Sequence, residues 1–225
     1  MTNIAVIVAH PDDEVLAFGG LIAKRSAAGD VVSILILATG ITSRSVNSAE
    51  ADAGMQELQV QAQEAGRILG ASKVDVLDFP DNRMDTVALL DIVKRIEVFL
   101  RETGASEVYT HHDADLNIDH TICSKAVLTA SRFLPGGTVR RILSGEVLSS
   151  SEFASCEHRF TPNSYLEISK FLHLKCQALS CYKGELRDWP HPRSLESVRH
   201  LAHLRGSEVG VEAAEAYRVI RELCD

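Results

Sequence analysis

The chain has 225 residues, of which 45% are hydrophobic and 24% are charged, values that are ordinary for a soluble globular protein with a sizeable core. Its net charge of −8 at pH 7 argues against nucleic acid or an anionic membrane as a partner. The sequence does not open on a basic segment followed by an apolar stretch, and its apolar runs are too short for a membrane span, so we expect a cytoplasmic location.

The first two thirds of the chain alternate between short β-branched runs and longer stretches with helical spacing. The predicted strands are Ile4–Ala9, Val31–Ala38, Val74–Phe79 and Glu107–Thr110, and the predicted helices are Val15–Ala28, Ala49–Leu69, Thr86–Glu102 and Ile118–Phe133. This alternation is typical of βαβ units. We therefore expect an α/β, Rossmann-like fold with a mostly parallel sheet and helices on both faces.

Glycines and polar residues mark the ends of these elements. Gly29, Gly70 and Gly104 each follow a predicted helix, where a C-terminal cap favours a positive φ. The segment Gly40–Glu50 is rich in Ser, Thr and Asn, which predicts a long loop after the second strand. In α/β sheets, loops at this end of the strands build the functional site.

The last third of the chain has a different pattern. It predicts a strand at Arg141–Leu148, helices at Glu167–Leu179, Leu195–Leu204 and Val211–Leu223, and an irregular segment around the two prolines of Pro190–Ser194. The sequence shows no repeat or linker, so we expect one domain over residues 1–225. It leaves the number of subunits open, and a homo-oligomer is compatible with it.

The first candidate for chemistry is the end of the first strand, Ala9–Glu14. One imidazole and three carboxylates follow a buried strand directly, in His10, Asp12, Asp13 and Glu14. Clustered like charges repel and cost desolvation unless a cation compensates them. Zinc takes imidazole and carboxylate ligands together, and Pro11 stiffens the turn that would aim them. The alternative is that the acids only cap the next helix, which would explain one of them.

The second candidate segment runs from His111 to His120 and leads into a predicted helix. In a parallel sheet it emerges at the same edge as His10, so His120 could supply a third metal ligand. Two histidines and one carboxylate leave the open position of a catalytic zinc site. We expect Asp119 to support the ring of His120 from behind. The alternative is a solvated loop with Asn117 as a helix cap.

Together these motifs resemble the LmbE-like (PIG-L) zinc de-N-acetylases. The resemblance rests on AHPDDE at the end of the first strand and extends over most of the chain, through GRILG (Gly66–Gly70), FPDNRMD (Phe79–Asp85), DLNIDH (Asp115–His120) and PHPRS (Pro190–Ser194). It implies a Rossmann-like fold, one catalytic Zn²⁺ and hydrolysis of an N-acetyl group on a small-molecule amino sugar. The last two motifs look like the branch found in bacterial sugar and surface-polysaccharide pathways.

The resemblance also implies roles for individual residues. His10, Asp13 and His120 look like the zinc ligands, Asp12 like the general base and Asp81 like a sugar contact, with Asp119 and Glu14 behind them.

Two positions depart from the family pattern. Asn117 stands where relatives acting on mycothiol precursors carry a histidine that stabilises the oxyanion, so Asn117, His111 or His112 would take that role. The usual arginine near the start of the second helix is missing, and Arg193 or Arg83 would replace it.

The PHPRS segment has two readings. Either it is a rigid surface loop, or it brings His191 or Arg193 to the mouth of the pocket, where a guanidinium could bind a phosphate or carboxylate of the substrate. We therefore count Asn117, Asp81, His191 and Arg193 as candidate substrate contacts.

Three other functions compete with deacetylation. The same ligands could serve another metallohydrolase, such as an amidase for a thiol-sugar conjugate or a phosphoesterase. A nucleotide-binding module would want Gly-x-Gly-x-x-Gly after the first strand, where this chain has HPDDE. A non-catalytic scaffold would bind no metal. A covalent route is disfavoured because no serine lies in a Gly-x-Ser-x-Gly elbow and the five cysteines, which form no CxxC pair, are expected to be free packing residues.

Overall fold

The computed structural model describes residues 1–39 and 48–224. The strands are β1 (Asn3–Val8), β2 (Val31–Ala38), β3 (Lys73–Phe79), β4 (Glu107–His111), β5 (Arg141–Gly145), β6 (Ser164–Glu167) and β7 (Ala214–Glu222). The helices are α1 (Asp13–Ala27), α2 (Ser48–Leu69), α3 (Leu89–Thr103), α4 (Ile118–Ala130), α5 (Leu172–Leu179) and α6 (Leu195–Ser207). Short 3₁₀ turns lie at Met84–Thr86, Ser151–Phe153 and Cys156–His158.

All seven strands form one sheet in the order β3-β2-β1-β4-β5-β7-β6. Strands β1 to β5 are parallel, and β7 pairs antiparallel with both β5 and β6. The strand order reverses between β1 and β4, and in open α/β sheets such a point leaves a crevice at the carboxyl ends of the two strands. The predicted Rossmann-like, mostly parallel fold is confirmed.

Helices cover both faces of the sheet, which is why the central strands read as continuous apolar runs rather than alternating ones. One core lies under α1, α2, α5 and α6, and the other lies under α3 and α4. Five successive residues of β1, Ile4 to Val8, are at most 1% exposed because each faces one of these two cores.

Helix α1 runs so close to its neighbours that two of its positions need glycine. A Cβ on Gly20 would lie 2.6 Å from a side-chain carbon of Ile168, and one on Gly19 would lie 2.9 Å from Lys175. The close approach fixes the helix whose first turn carries the carboxylates of the AHPDDE motif. The helix ends at Gly29, Gly70 and Gly104 have the predicted positive φ values, of 89°, 78° and 59°.

The structure corrects two predictions in the last third of the chain. The predicted helix Val211–Leu223 is wrong, because this segment is the strand β7. Its alanines and glutamates favour a helix, but the open edge of β5 provides strand pairing that outweighs this preference. The predicted helix Glu167–Leu179 begins only at Leu172, and its first residue ends β6.

The side chain of Glu215 also helps to hold this segment as a strand. Its carboxylate is 5% exposed and accepts hydrogen bonds from the backbone amides of Gly20 and Leu21, at 2.7 Å each. It also accepts from Lys175 Nζ at 2.6 Å and from the hydroxyl of Tyr217 at 2.5 Å. Strand β7 is therefore hydrogen-bonded to helix α1 as well as to its neighbours in the sheet.

Most of the predicted loop Gly40–Glu50 lies outside the described residues, and its last three residues belong to helix α2. Among the described helices, none has the length and apolar character needed to cross a membrane.

Candidate active site

The candidate site lies where β1 and β4 end side by side. The turn that begins at His10 follows β1, and the segment leading to His120 follows β4. The two ends are joined by a hydrogen bond from the backbone amide of Ala9 to Nε2 of His111, at 2.8 Å. The expectation that both polar segments meet at one edge of the sheet is thus confirmed.

The turn after β1 has a constrained backbone. The His10 amide donates to Oδ2 of Asp13 at 2.8 Å, and Glu14 Oε2 accepts from the Asp12 amide at 3.0 Å. Asp12 has φ 101° and ψ −28°, a conformation that costs a residue with a side chain about 1–3 kcal/mol. Strain of this kind is typical of functional sites, where surrounding contacts hold it in place.

Three buried side chains of the two segments point their donor atoms at one another. Oδ2 of Asp13 lies 3.4 Å from Nδ1 of His10 and 3.2 Å from Nε2 of His120. One ligand atom from each of these residues lies within 4.8 Å of the other two, as a shared metal ion requires. The three predicted zinc ligands are therefore brought together.

The electrostatics of this cluster fit a divalent cation. Within the part of the chain that the structure describes, Asp13 Oδ1 and His120 Nε2 are buried and make no hydrogen bond. Burial opposes protonation of His10, but the carboxylates of Asp119, Asp13 and Asp81 outweigh it and raise its pKa to about 10. Burial likewise opposes protonation of His120, but Asp13 and Asp115 raise its pKa to about 9. The site thus favours added positive charge, and its nitrogen and oxygen donors are those that zinc takes.

Each candidate histidine ligand has a carboxylate behind its other ring nitrogen. Nε2 of His10 lies 3.0 Å from Oδ2 of Asp119, and Nδ1 of His120 lies 3.1 Å from Oδ1 of Asp115. The prediction that Asp119 supports His120 is therefore wrong, and Asp119 contacts His10. Consecutive residues of a helix point in different directions, so Asp119 and His120 diverge.

Asp119 and Asp115 are themselves held in place. Asp119 accepts hydrogen bonds from the backbone amides of Asn82, at 2.6 Å, and Met84, at 3.0 Å. Asp115 accepts from the hydroxyls of Ser150 and Ser151. His10, Asp81 and Asp119 also satisfy the spacing of a metal site, but both carboxylate oxygens of Asp119 accept backbone amides, whereas Oδ1 of Asp13 accepts no hydrogen bond from the described residues.

The two neighbouring histidines do not face the pocket described below. His111 is fully buried, and its ring stacks on that of His120 at 4.0 Å between centroids. Burial and the charge of His120 lower the pKa of His111 to about 3, so it packs as a neutral ring. His112 contacts the backbone oxygen of His158 at 2.8 Å.

A pocket opens beside this cluster, and Asp12 lies in its wall. The lining residues are His10, Pro11, Asp12, Leu58, Asp81, Asn82, Asn117, Glu185 and Arg193. Neither carboxylate oxygen of Asp12 makes a hydrogen bond within the described residues, although Oδ2 lies 3.3 Å from Nη1 of Arg193. Burial raises the pKa of Asp12 well above its usual range, and Arg193 opposes that rise.

The predicted substrate contacts divide into two groups. Asp81, Asn117 and Arg193 line the pocket, whereas His191 is exposed, is not among the lining residues and accepts from the Arg193 amide at 3.0 Å. Asn117 is also the predicted helix cap, because its Oδ1 accepts from the Asp119 amide at 2.9 Å. Its Nδ2 donates to Asn82 at 3.1 Å.

Sequence reasoning missed several residues that complete the site. Asp115 was visible inside the DLNIDH motif, five residues before His120, but spacing alone gave it no role. Tyr182, Glu185 and Ser150 lie in segments without metal-ligand or helical spacing, so the sequence carried no signal for them. All five cysteines are free thiols, as predicted, but the expectation that they are packing residues is wrong for Cys156 and Cys224, which are exposed.

Comparison with known proteins identifies the family of the chain. A family model described as GlcNAc-PI de-N-acetylase (PIG-L) matches residues 5–131, more than half of the chain. A protein of Escherichia coli (strain K12) described as the uncharacterized deacetylase YaiS is 28% identical over 138 residues, which make up 59% of this chain and 70% of that protein.

Two solved structures share the fold. The N,N'-diacetylchitobiose deacetylase of Pyrococcus horikoshii is 19% identical, with a TM-score of 0.79 over 97% of this chain and 83% of that one. GalB of Pseudomonas putida KT2440, a 4-carboxy-2-hydroxymuconate hydratase, is 20% identical, with a TM-score of 0.78 over 100% and 98%. At these identities the likeness shows the fold alone, while the family match supports a de-N-acetylase. The chain belongs to the PIG-L (LmbE-like) family.

Proposed function

We propose that the protein is a zinc-dependent hydrolase that removes an N-acetyl group from a small-molecule amino sugar. The observation that carries the proposal is the buried cluster of His10, Asp13 and His120, with the carboxylate of Asp12 beside it in a pocket wall. Two imidazoles and one carboxylate leave a coordination position open for catalysis. The family match and the deacetylase relative support the amide as the bond that is cleaved.

His10 would bind the metal through Nδ1, His120 through Nε2 and Asp13 through its carboxylate. When bound, zinc supplies a Lewis acid that polarises the amide carbonyl and makes water a better nucleophile. Asp119 and Asp115 hold the two imidazoles so that these nitrogens face inward.

Asp12 is the group that moves the proton. Its carboxylate faces the pocket, so it accepts a proton from the attacking water while the oxygen of that water bonds to the acetyl carbon. It then delivers the proton to the sugar nitrogen as the carbon–nitrogen bond breaks, which releases acetate and the amine. Asp81 and Asn117 line the same pocket and are proposed to contact the sugar.

The test is metal content together with acetate release. Purified protein should hold about one zinc per chain, as a three-residue catalytic site predicts. We expect acetate from at least one member of a panel of free, nucleotide-linked and lipid-linked N-acetyl sugars, and no acetate after chelation. Metal-dependent phosphate release without acetate would instead identify a phosphoesterase. Because the hydratase GalB shares the fold, formation of the free amine must be measured as well.

A further inference from the structure

A segment in the last third of the chain reaches Asp12 in two ways, directly through Arg193 and indirectly through Glu14. We call residues 182–193 the brace. The brace lies outside residues 5–131, the part of the chain that matches the family model. Its contacts nevertheless converge on the residue that the proposed function makes the proton carrier.

The first contact of the brace acts on the backbone of Asp12. Tyr182 is fully buried and donates its hydroxyl to Oε1 of Glu14 at 2.5 Å. The other oxygen of Glu14 accepts the Asp12 amide at 3.0 Å. Glu14 thus connects the brace to a backbone amide whose residue has φ 101°. An unsupported residue with a side chain would leave that conformation.

The second contact acts on the carboxylate. Nη1 of Arg193 lies 3.3 Å from Oδ2 of Asp12 and 2.9 Å from Oε2 of Glu185. Nε of Arg193 donates to the hydroxyl of Ser149 at 2.7 Å, which fixes the guanidinium plane. The positive charge of Arg193 lies between two carboxylates of the chain itself, so an anionic group of a substrate would have to compete with both.

We propose that the brace positions Asp12 for proton transfer, with Tyr182 acting through Glu14 on the backbone and Arg193 acting on the carboxylate. This replaces the expectation that Arg193 binds an anionic part of the substrate, and it rests on the proposed deacetylase function. Arg193 is a positioning residue because its contacts are with Asp12, Glu185 and Ser149.

The experiment uses zinc-loaded, full-length protein and an N-acetyl sugar that the wild type turns over. For Arg193→Ala we expect kcat to fall about 10- to 100-fold, since a misplacement of about 1 Å can cost on the order of 100-fold. KM should change by less than about twofold and zinc content should stay the same, because uniform substrate binding and the metal ligands are untouched. Arg193→Lys should retain part of kcat, since a charge without the planar fork restores part of the contact.

Chemical rescue separates positioning from a loss of folding. Millimolar guanidinium should restore part of kcat to Arg193→Ala and none to Asp12→Asn. Tyr182→Phe keeps the ring and removes only the hydroxyl, and it should also lower kcat with little change in KM. Arg199→Ala is the matched control, because it removes an exposed arginine of helix α6 outside the brace, and its kinetics should equal those of the wild type.

A rise in KM for Arg193→Ala that equals or exceeds the fall in kcat would show that Arg193 binds substrate, and would overturn the proposal. Unchanged kcat in both Arg193→Ala and Tyr182→Phe would overturn it as well. Failure of the proposed function looks different, because wild-type protein would then bind no metal or release no acetate from any N-acetyl sugar.

Discussion

Asp119 places Oδ2 of its carboxylate 3.0 Å from Nε2 of His10, the ring nitrogen that does not face Asp13. Because Asp119 also accepts two backbone amides, its own position is fixed, and it can fix the orientation and tautomer of the imidazole. Asp115 does the same for His120 with the help of two serines. The rings of His10 and His120, the proposed metal ligands, are therefore held in place by side chains of the protein itself.

This orientation predicts the effect of removing charge behind each ligand. Asp119→Asn and Asp115→Asn should each weaken zinc affinity by about 10- to 100-fold, the usual effect of changing a partner of a ligating histidine. Affinity is measured by competition with a chromogenic chelator. Asp113→Asn changes an exposed carboxylate in the loop between β4 and α4 and should leave the zinc affinity unchanged. Equal affinity in all three variants would contradict the assignment.

The adjacent carboxylates of Asp12 and Asp13 should respond differently to the same substitution. Asp12→Asn keeps the size of the side chain but removes the basic oxygen, so zinc should remain bound while kcat falls by about 10²- to 10⁴-fold. Asp13→Asn should lose zinc, because a neutral amide is a poorer ligand for a divalent cation. Zinc content and single-turnover acetate release are measured on both variants together. Loss of zinc only from Asp12→Asn would reverse the two roles.

Metal removal should lower thermal stability as well as activity. The proposed zinc site joins His10 and Asp13 to His120, which is distant in sequence, so the site forms only in the folded chain and free zinc at 100 times its Kd should stabilise the protein by about 2.7 kcal/mol. Tm is followed by differential scanning fluorimetry after chelation and after zinc is added back. His120→Ala should show no zinc-dependent rise in Tm. A rise equal to that of the wild type would place the metal elsewhere.

The buried pair of Lys175 and Glu215 should matter for stability rather than for chemistry. Glu215→Ala leaves the Lys175 ammonium buried without its partner and frees two helix amides, so the free energy of unfolding should fall by about 3–5 kcal/mol. Urea denaturation measures this change. Glu212→Ala removes an exposed carboxylate nearby and should stay within about 0.5 kcal/mol of the wild type. A loss below about 1 kcal/mol for Glu215→Ala would show that water replaces the carboxylate.

The elements whose structure depends on residues close to them in the chain could be predicted from the sequence. The apolar run before His10 and the glycine after each early helix follow from strand burial and cap geometry, and both are confirmed. The segment that became β7 was not predictable in this way, because its alanines and glutamates favour a helix in isolation. Pairing with β5 and β6 and hydrogen bonds to the amides of α1 make it a strand, and all these partners lie far away in the sequence.

The site shows the same division between near and distant partners. His10, Asp12 and Asp13 were visible because they are adjacent in the chain, and His120 was visible because its loop ends at the same sheet edge. Adjacency in sequence predicts Asp119 as the partner of the His120 ring, whereas Asp115, five residues away, lies there in the structure. The contacts of Arg193 with Asp12 and Ser149 span 181 and 44 residues, which no local spacing encodes.

Strand β4 lies in the middle of the sheet only because β5 pairs with it. A shortened enzyme that stopped after residue 131 would contain all three candidate metal ligands and the whole family match. It would nevertheless present β4 as an unprotected edge, and the face of α1 that Ile168 and Lys175 cover would be left open to water. Such a fragment should self-associate through that edge, so an attempt to reduce this protein to its smallest working unit has to retain β5 and the segment that carries Ile168 and Lys175.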